Sequence, residues 1–243
     1  MKGYPIIYSF NRSSEAGNDK FAFSLFLGGC NLMCPYCMNP ELTNSYVSNI
    51  PCIDNKWLEG IIAEDRPRTI HISGGEPTNN LWNLMGTIHW LDYIKETHGI
   101  RFDVGMSTNG TLQGRVGRML KYLSFVTMDF KGDPFDYNAR FNGGKHSFSN
   151  MIESWRDIRL NKREFEYEIR TTLAPNIVNE EKIRFMSRFF VKGEKWILQP
   201  YRATDKMLSF KKENVIEDSA KAINDLFNIA REESGANVEL RYV

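Results

Sequence analysis

Three cysteines stand at C-x3-C-x2-C spacing in the segment Gly28-Gly29-Cys30-Asn31-Leu32-Met33-Cys34-Pro35-Tyr36-Cys37-Met38-Asn39-Pro40. Three thiols this close together can converge only if the loop wraps a compact object. Pro35, Pro40 and the paired glycines favour such a wrap. A structural zinc ion closes its shell with four ligands, often as two C-x2-C pairs. Here the second pair is missing, Cys52 lies fifteen residues on, and the chain has only four histidines. A four-iron cluster held by three thiolates keeps one iron open to bind something else. One 4Fe–4S cluster on Cys30, Cys34 and Cys37 is therefore the preferred reading, with a zinc site and plain buried thiols as the alternatives. Cys52 is expected to pack in the interior, as free cysteines usually do.

Other chemically capable residues fall just after β-prone runs. Gly74-Gly75-Glu76-Pro77 follows one run; glycine and proline alone would explain a turn there, but paired glycines also let backbone approach a ligand closely. Ser107-Thr108-Asn109-Gly110 follows the next, and a small polar turn is the plain alternative. Met128-Asp129-Phe130-Lys131 ends a third run. A surface ion pair is the plain reading of Asp129 and Lys131, although charges are less expected at the end of an apolar strand. Arg170-Thr171-Thr172 and Leu198-Gln199-Pro200-Tyr201-Arg202 end two more, and a guanidinium in such a place suits a carboxylate. His71 lies inside a run and reads as a satisfied core imidazole.

The elements that must position these residues alternate regularly. Phe21–Leu27, Thr69–Ser73, Arg101–Met106, Ser124–Asp129, Glu166–Thr172 and Trp196–Gln199 read as strands, rich in apolar and β-branched residues. Helical spacing marks Leu81–Thr97 most clearly, through Leu81, Leu84, Met85, Ile88, Leu91 and Ile94. Gly114–Tyr122, Phe148–Leu160, Asn179–Phe190 and Glu217–Glu233 are the other helices expected. Six strands alternating with helices argue for parallel β/α units, an α/β fold curved into a partial barrel. Such folds place ligands at the carboxyl ends of their strands. With no composition break, residues 1–243 read as one domain, with a core at about 21–202 and a C-terminal helix and strand within 207–243.

The bulk properties narrow the function classes. With 42% hydrophobic and 25% charged residues, 243 residues suit a globular domain. A net charge of +1 gives no support to nucleic-acid or membrane-surface binding by electrostatics. No apolar run approaches membrane-helix length and the first residues lack a signal-peptide plan. A cytoplasmic setting, where thiols stay reduced, is the expectation.

Taken with the aromatic Tyr36 before the last cysteine and GGEP at Gly74–Pro77, the cysteine segment resembles the radical S-adenosylmethionine superfamily. That resemblance implies a partial (β/α)6 TIM-type barrel. It also implies that the open iron binds S-adenosylmethionine, whose one-electron cleavage gives a 5′-deoxyadenosyl radical. Tyr36 would pack near the adenine, Gly74, Gly75 and Glu76 near the methionine amino group, and Ser107 and Asn109 in a segment similar to D-T-N-G. Serine at 107 replaces the usual aspartate of a cation site described in some relatives. Asp129 and Lys131 would lie by the cofactor and an incoming peptide, Arg170 would contact the cofactor, and Arg202 is a further candidate. The whole pattern looks most like the short activating enzymes of glycyl radical enzymes, in particular those of anaerobic ribonucleotide reductase. Met38 departs from the histidine many of them carry. The implied partners are a glycyl radical enzyme and a flavodoxin- or ferredoxin-type electron donor, with no nucleic acid and no membrane. Two alternatives stay open: a radical enzyme acting on a small molecule or nucleoside precursor, as 7-carboxy-7-deazaguanine synthase does, and a zinc-binding module without chemistry.

Overall fold

A computed structural model describes residues 5–13, 22–43, 50–161, 165–203 and 219–242. Phe21 and residues 207–218, which the expected first strand and C-terminal part include, lie outside the described residues. Among the described residues eight strands form one sheet: β1 (Ser9–Ser13), β2 (Ala22–Leu27), β3 (Thr69–Gly74), β4 (Asp103–Thr108), β5 (Phe125–Asp129), β6 (Glu166–Leu173), β7 (Lys195–Pro200) and β8 (Asn237–Leu240). Their spatial order is their chain order, and every neighbouring pair is parallel except β1 with β2. The sheet does not close; β1 and β8 are its edges. The six expected strands are β2 to β7, so the partial parallel barrel is observed with an added strand at each edge.

The sheet has two chemically different faces, as the two-residue period of a strand requires. Ile70, Ile72, Val104, Met106, Val126, Met128, Ile169, Trp196 and Leu198 point to one face and are buried. Helices cover it: Trp155 and Trp196 both pack on Phe190, at ring-centroid separations of 4.7 and 4.3 Å. The inner face carries His71, Ser107, Thr127, Glu168 and Arg170. One face therefore supplies hydrophobic stabilisation, roughly 1.5–3 kcal/mol per fully buried large side chain, and leaves the other free for polar groups.

The helices are α1 (Asn55–Asp65), α2 (Leu81–His98), α3 (Arg115–Met119), α4 (Ser147–Asn161), α5 (Glu180–Ser187) and α6 (Ala220–Glu233). Helix α2 begins where the Asn80 side chain accepts from Asn83 N and ends at Gly99 in the left-handed conformation, φ 59°. Helix α5 stops at Ser187, three residues short of expectation. Helix α1 was not expected; it buries only Leu58 and Ile62, too narrow a stripe to stand out. Cys52, expected inside, is exposed. It precedes the α1 cap Asp54, in a connection running over the surface. Among the described residues no helix is long and apolar enough to cross a membrane.

Candidate functional site

The cysteine loop leaves β2 and is fastened by backbone hydrogen bonds before any ligand is considered. Gly29 N donates to Leu42 O at 2.7 Å, closing the loop on itself. Gly75 N donates to Leu27 O at 2.9 Å and Glu76 N to Gly29 O at 2.7 Å, stitching it to the end of β3. Met33 N donates to Phe141 O at 2.8 Å, and Cys37 N to Cys34 O at 3.0 Å. The glycine pair is what allows this approach. A Cβ on Gly74, whose φ is +124°, would lie 2.1 Å from Leu27 O, and one on Gly75 would lie 2.4 Å from Gly29 O. The crowding at both glycines thus comes from the chain's own backbone.

Glu76 is buried and ties the ends of β3 and β4 together. Its Oε1 accepts from Thr78 N (3.0 Å), Thr78 Oγ1 (2.5 Å) and Thr108 Oγ1 (2.8 Å), and its Oε2 from Asn109 N (2.6 Å). Burial pushes its carboxyl above the usual range, and these neutral donors offset only part of that. Asn109 turns its side chain toward the cysteine loop: Nδ2 donates to Asn31 Oδ1 at 3.1 Å and lies 4.0 Å from Cys30 Sγ. Glu76 and Asn109 therefore stand beside the cysteine loop, with both Glu76 oxygens taken by protein donors.

Cys34 is buried, and Cys30 and Cys37 are half-buried. Burial pushes the Cys30 and Cys34 thiols up to about 12 and raises Cys37 as well. Among the described residues no three His, Cys, Asp or Glu side chains converge where a single ion could be held. Soft thiol donors on a pinned loop fit an iron–sulfur cluster. Tyr36 is buried with its ring edge-on to Phe141 at 5.9 Å, and its hydroxyl has no partner among the described residues.

Lys131 Nζ donates to Asp129 Oδ2 at 2.8 Å. Burial disfavours the ammonium, but Asp129, Tyr36 and Cys34 together, with the Asp129 hydrogen bond, outweigh it and Lys131 stays well above its ordinary range. Its charge also acts on Cys34 and Tyr36, so the pair stands beside the cysteine loop, mostly out of solvent. Tyr137 clamps this turn, its hydroxyl accepting from Lys131 N at 3.0 Å and donating to Asp129 O at 3.3 Å. No sequence signal marked Tyr137. Deeper in, Ser107 Oγ and His71 Nε2 share a hydrogen bond of 2.6 Å, while His71 Nδ1 is buried without a partner. His71 is thus a core imidazole satisfied on one nitrogen. Arg170 Nε donates to Glu168 Oε1 at 2.7 Å, and Glu168 also accepts from Arg241, two residues that sequence reasoning passed over. Arg202 is exposed after β7 and no described residue is bonded to it.

The chain is similar to known proteins in sequence and in fold. The family model described as Radical SAM superfamily matches residues 24–187. A Haemophilus influenzae protein is 40% identical over 197 residues, 76% of this chain and 70% of its own length. One from Methanocaldococcus jannaschii is 27% identical over 213 residues, covering 81% of this chain and 82% of that one. Both carry the provisional name of glycyl-radical enzyme activating enzyme. Among solved structures, native anSMEcpe with bound AdoMet superposes with a TM-score of 0.55 at 19% identity, covering 88% of this chain and 62% of that one. At that identity the likeness is one of fold.

Proposed function

The chain belongs to the Radical SAM superfamily, and from that premise we propose that it is an activating enzyme that installs a glycyl radical on a partner protein. Cys30, Cys34 and Cys37 hold a single 4Fe–4S cluster and S-adenosylmethionine binds beside it. When bound, that pair supplies a 5′-deoxyadenosyl radical through one-electron cleavage of the sulfonium. The observation that carries the reading is the cysteine loop, closed by Gly29 and Leu42 and bonded to the end of β3.

The remaining residues orient and seal. Tyr36 offers an apolar face with an unpaired hydroxyl to the adenine side, and the turn from Gly74 to Glu76 sets the rim over Cys30. Asn109 reaches back across the loop, and Ser107 is held by His71 below it. Asp129 and Lys131 present an ion pair at the mouth, where the partner's glycine loop enters. Arg170 offers its terminal amino groups to a carboxylate, and the exposed Arg202 belongs to the rim that a protein partner meets. The relatives' names favour a glycyl radical enzyme as that partner. A flavodoxin- or ferredoxin-type protein would deliver the electron, in the cytoplasm, where free thiols persist.

The test is anaerobic reconstitution, with about four irons bound per chain and 5′-deoxyadenosine formed on reduction with S-adenosylmethionine. Addition of a candidate glycyl radical enzyme should give a doublet glycyl signal by electron paramagnetic resonance. Cys34→Ala should abolish both. A colourless protein carrying zinc, or turnover of a small molecule with no protein partner, would overturn the assignment.

A further inference from the structure

Arg241 follows the last strand, far beyond the segment 24–187 that the family model matches. Its place is set by strand pairing, since its backbone N donates to Leu198 O at 2.9 Å. Its guanidinium grips Glu168 with both prongs, Nη1 to Oε1 at 2.9 Å and Nη2 to Oε2 at 3.2 Å. Glu168 is only 1% exposed and stands two residues before Arg170 on the same face of β6. Arg170 reaches the same Oε1 through Nε alone, at 2.7 Å, and its two terminal amino groups make no hydrogen bond among the described residues.

We propose that Arg241 is a positioning residue that, acting through Glu168, keeps the terminal amino groups of Arg170 directed toward a ligand carboxylate. Arginine and a carboxylate left to themselves pair by two parallel hydrogen bonds. Arg241 occupies the Oε2 side of Glu168, where the next cation, Lys195 Nζ, is 3.9 Å away. Glu168 thus has no second oxygen to give Arg170, so only Nε is engaged and the end of the fork stays available. Without Arg241 the two neighbours on β6 would close on each other and the fork would be withdrawn. The inference rests on the reading above that Arg170 faces the carboxylate of S-adenosylmethionine.

The test compares S-adenosylmethionine with its decarboxylated analogue by calorimetric titration of the cluster-loaded protein. R170A should weaken S-adenosylmethionine far more than the analogue. R241Q should weaken S-adenosylmethionine about tenfold, as expected for loss of a charge-assisted contact, and the analogue less than twofold. R241K, with one donor in place of a fork, should lie between R241Q and the unaltered protein. R241Q added to R170A should cost nothing further. Equal weakening of both ligands by R241Q, no weakening of either, or losses that multiply in the double variant would overturn the proposal. An R170A protein with undiminished affinity would remove the cofactor role of Arg170 itself, a separate failure. Should R241Q not fold, R241K carries the same comparison, and the Arg170 Nε–H resonance of the unloaded protein, expected to move in R241K, gives a readout that needs no ligand.

Discussion

Glu194 and Glu76 are buried carboxylates at opposite ends of the same set of parallel strands, Glu194 just before β7 and Glu76 just after β3. Glu194 accepts from Trp155 Nε1 (3.0 Å), Tyr167 OH (2.7 Å), Val191 N (2.8 Å) and both Arg159 Nε and Nη2 (2.7 Å each). Burial would push its carboxyl up, but these bonds, that of Arg159 foremost, hold it below the usual range. Arg159 also lies over the Trp155 ring at 4.3 Å. Glu76 has comparable hydrogen bonding from neutral donors alone and stays above the usual range. The difference separates a finished end of the barrel from one left open. At the amino end Glu194 meets its counter-charge in Arg159, and the network only holds. At the carboxyl end, among the described residues, Glu76 has no counter-ion and stands near Cys30, the Tyr36 hydroxyl has no partner and stands near Cys34, and Arg170 uses only part of its guanidinium.

Removing each carboxylate tests that contrast. Glu194→Ala strands Arg159 and three further donors, and should cost about 3–5 kcal/mol in urea denaturation while the folded fraction still binds iron normally. A loss under about 1 kcal/mol would erase the contrast. Glu76→Gln sets an amide NH2 against donors that face an oxygen today. It should cost about 1–3 kcal/mol and reduce iron retention per folded molecule. Equal iron retention in the two variants would show that the ends do not differ in function.

Between the ends lies His71, lowered from an ordinary 6.5 to about 3 by burial first and then by the charge of Arg170. The folded protein keeps this imidazole neutral while the unfolded chain takes up a proton below 6.5. Its contribution to stability is therefore lost as pH falls from 6.5 toward about 3, by about 1.4 kcal/mol per pH unit. His71→Gln should flatten that part of the stability profile, and an unchanged slope would place the imidazole outside the inner layer. The smallest effect belongs to Cys52: Cys52→Ser should shift stability by no more than about 0.5 kcal/mol, and in the unloaded protein its thiol should react with an alkylating agent before the other three.

Much of this was legible because it is local. Spacing within one loop made the cysteines stand out, and apolar runs ended by glycine or polar turns marked β2 to β7. The misses have physical causes. The β1 strand, SFNRS, is mostly polar and pairs only with β2, so no apolar pattern announces it. Cys52 was placed inside from the habit of its residue type, and exposure is not a property of type. Gly74 and Gly75 are a different case: the backbone of Leu27, Gly29 and Leu42 crowds them, a packing reason for glycine that adds to the expected approach of a ligand. Glu168 and Arg241 are 73 residues apart, and Trp155 and Glu194 are 39 apart, so nothing short-range couples either pair.

By itself the sequence determined the ligand chemistry and the parallel β/α order, since thiol spacing and hydrophobic period are properties of neighbouring residues. Only the tertiary structure decided which charges meet. Ion pairs and shared hydrogen bonds depend on separations of a few ångströms, and those exist only once strands distant along the chain lie side by side.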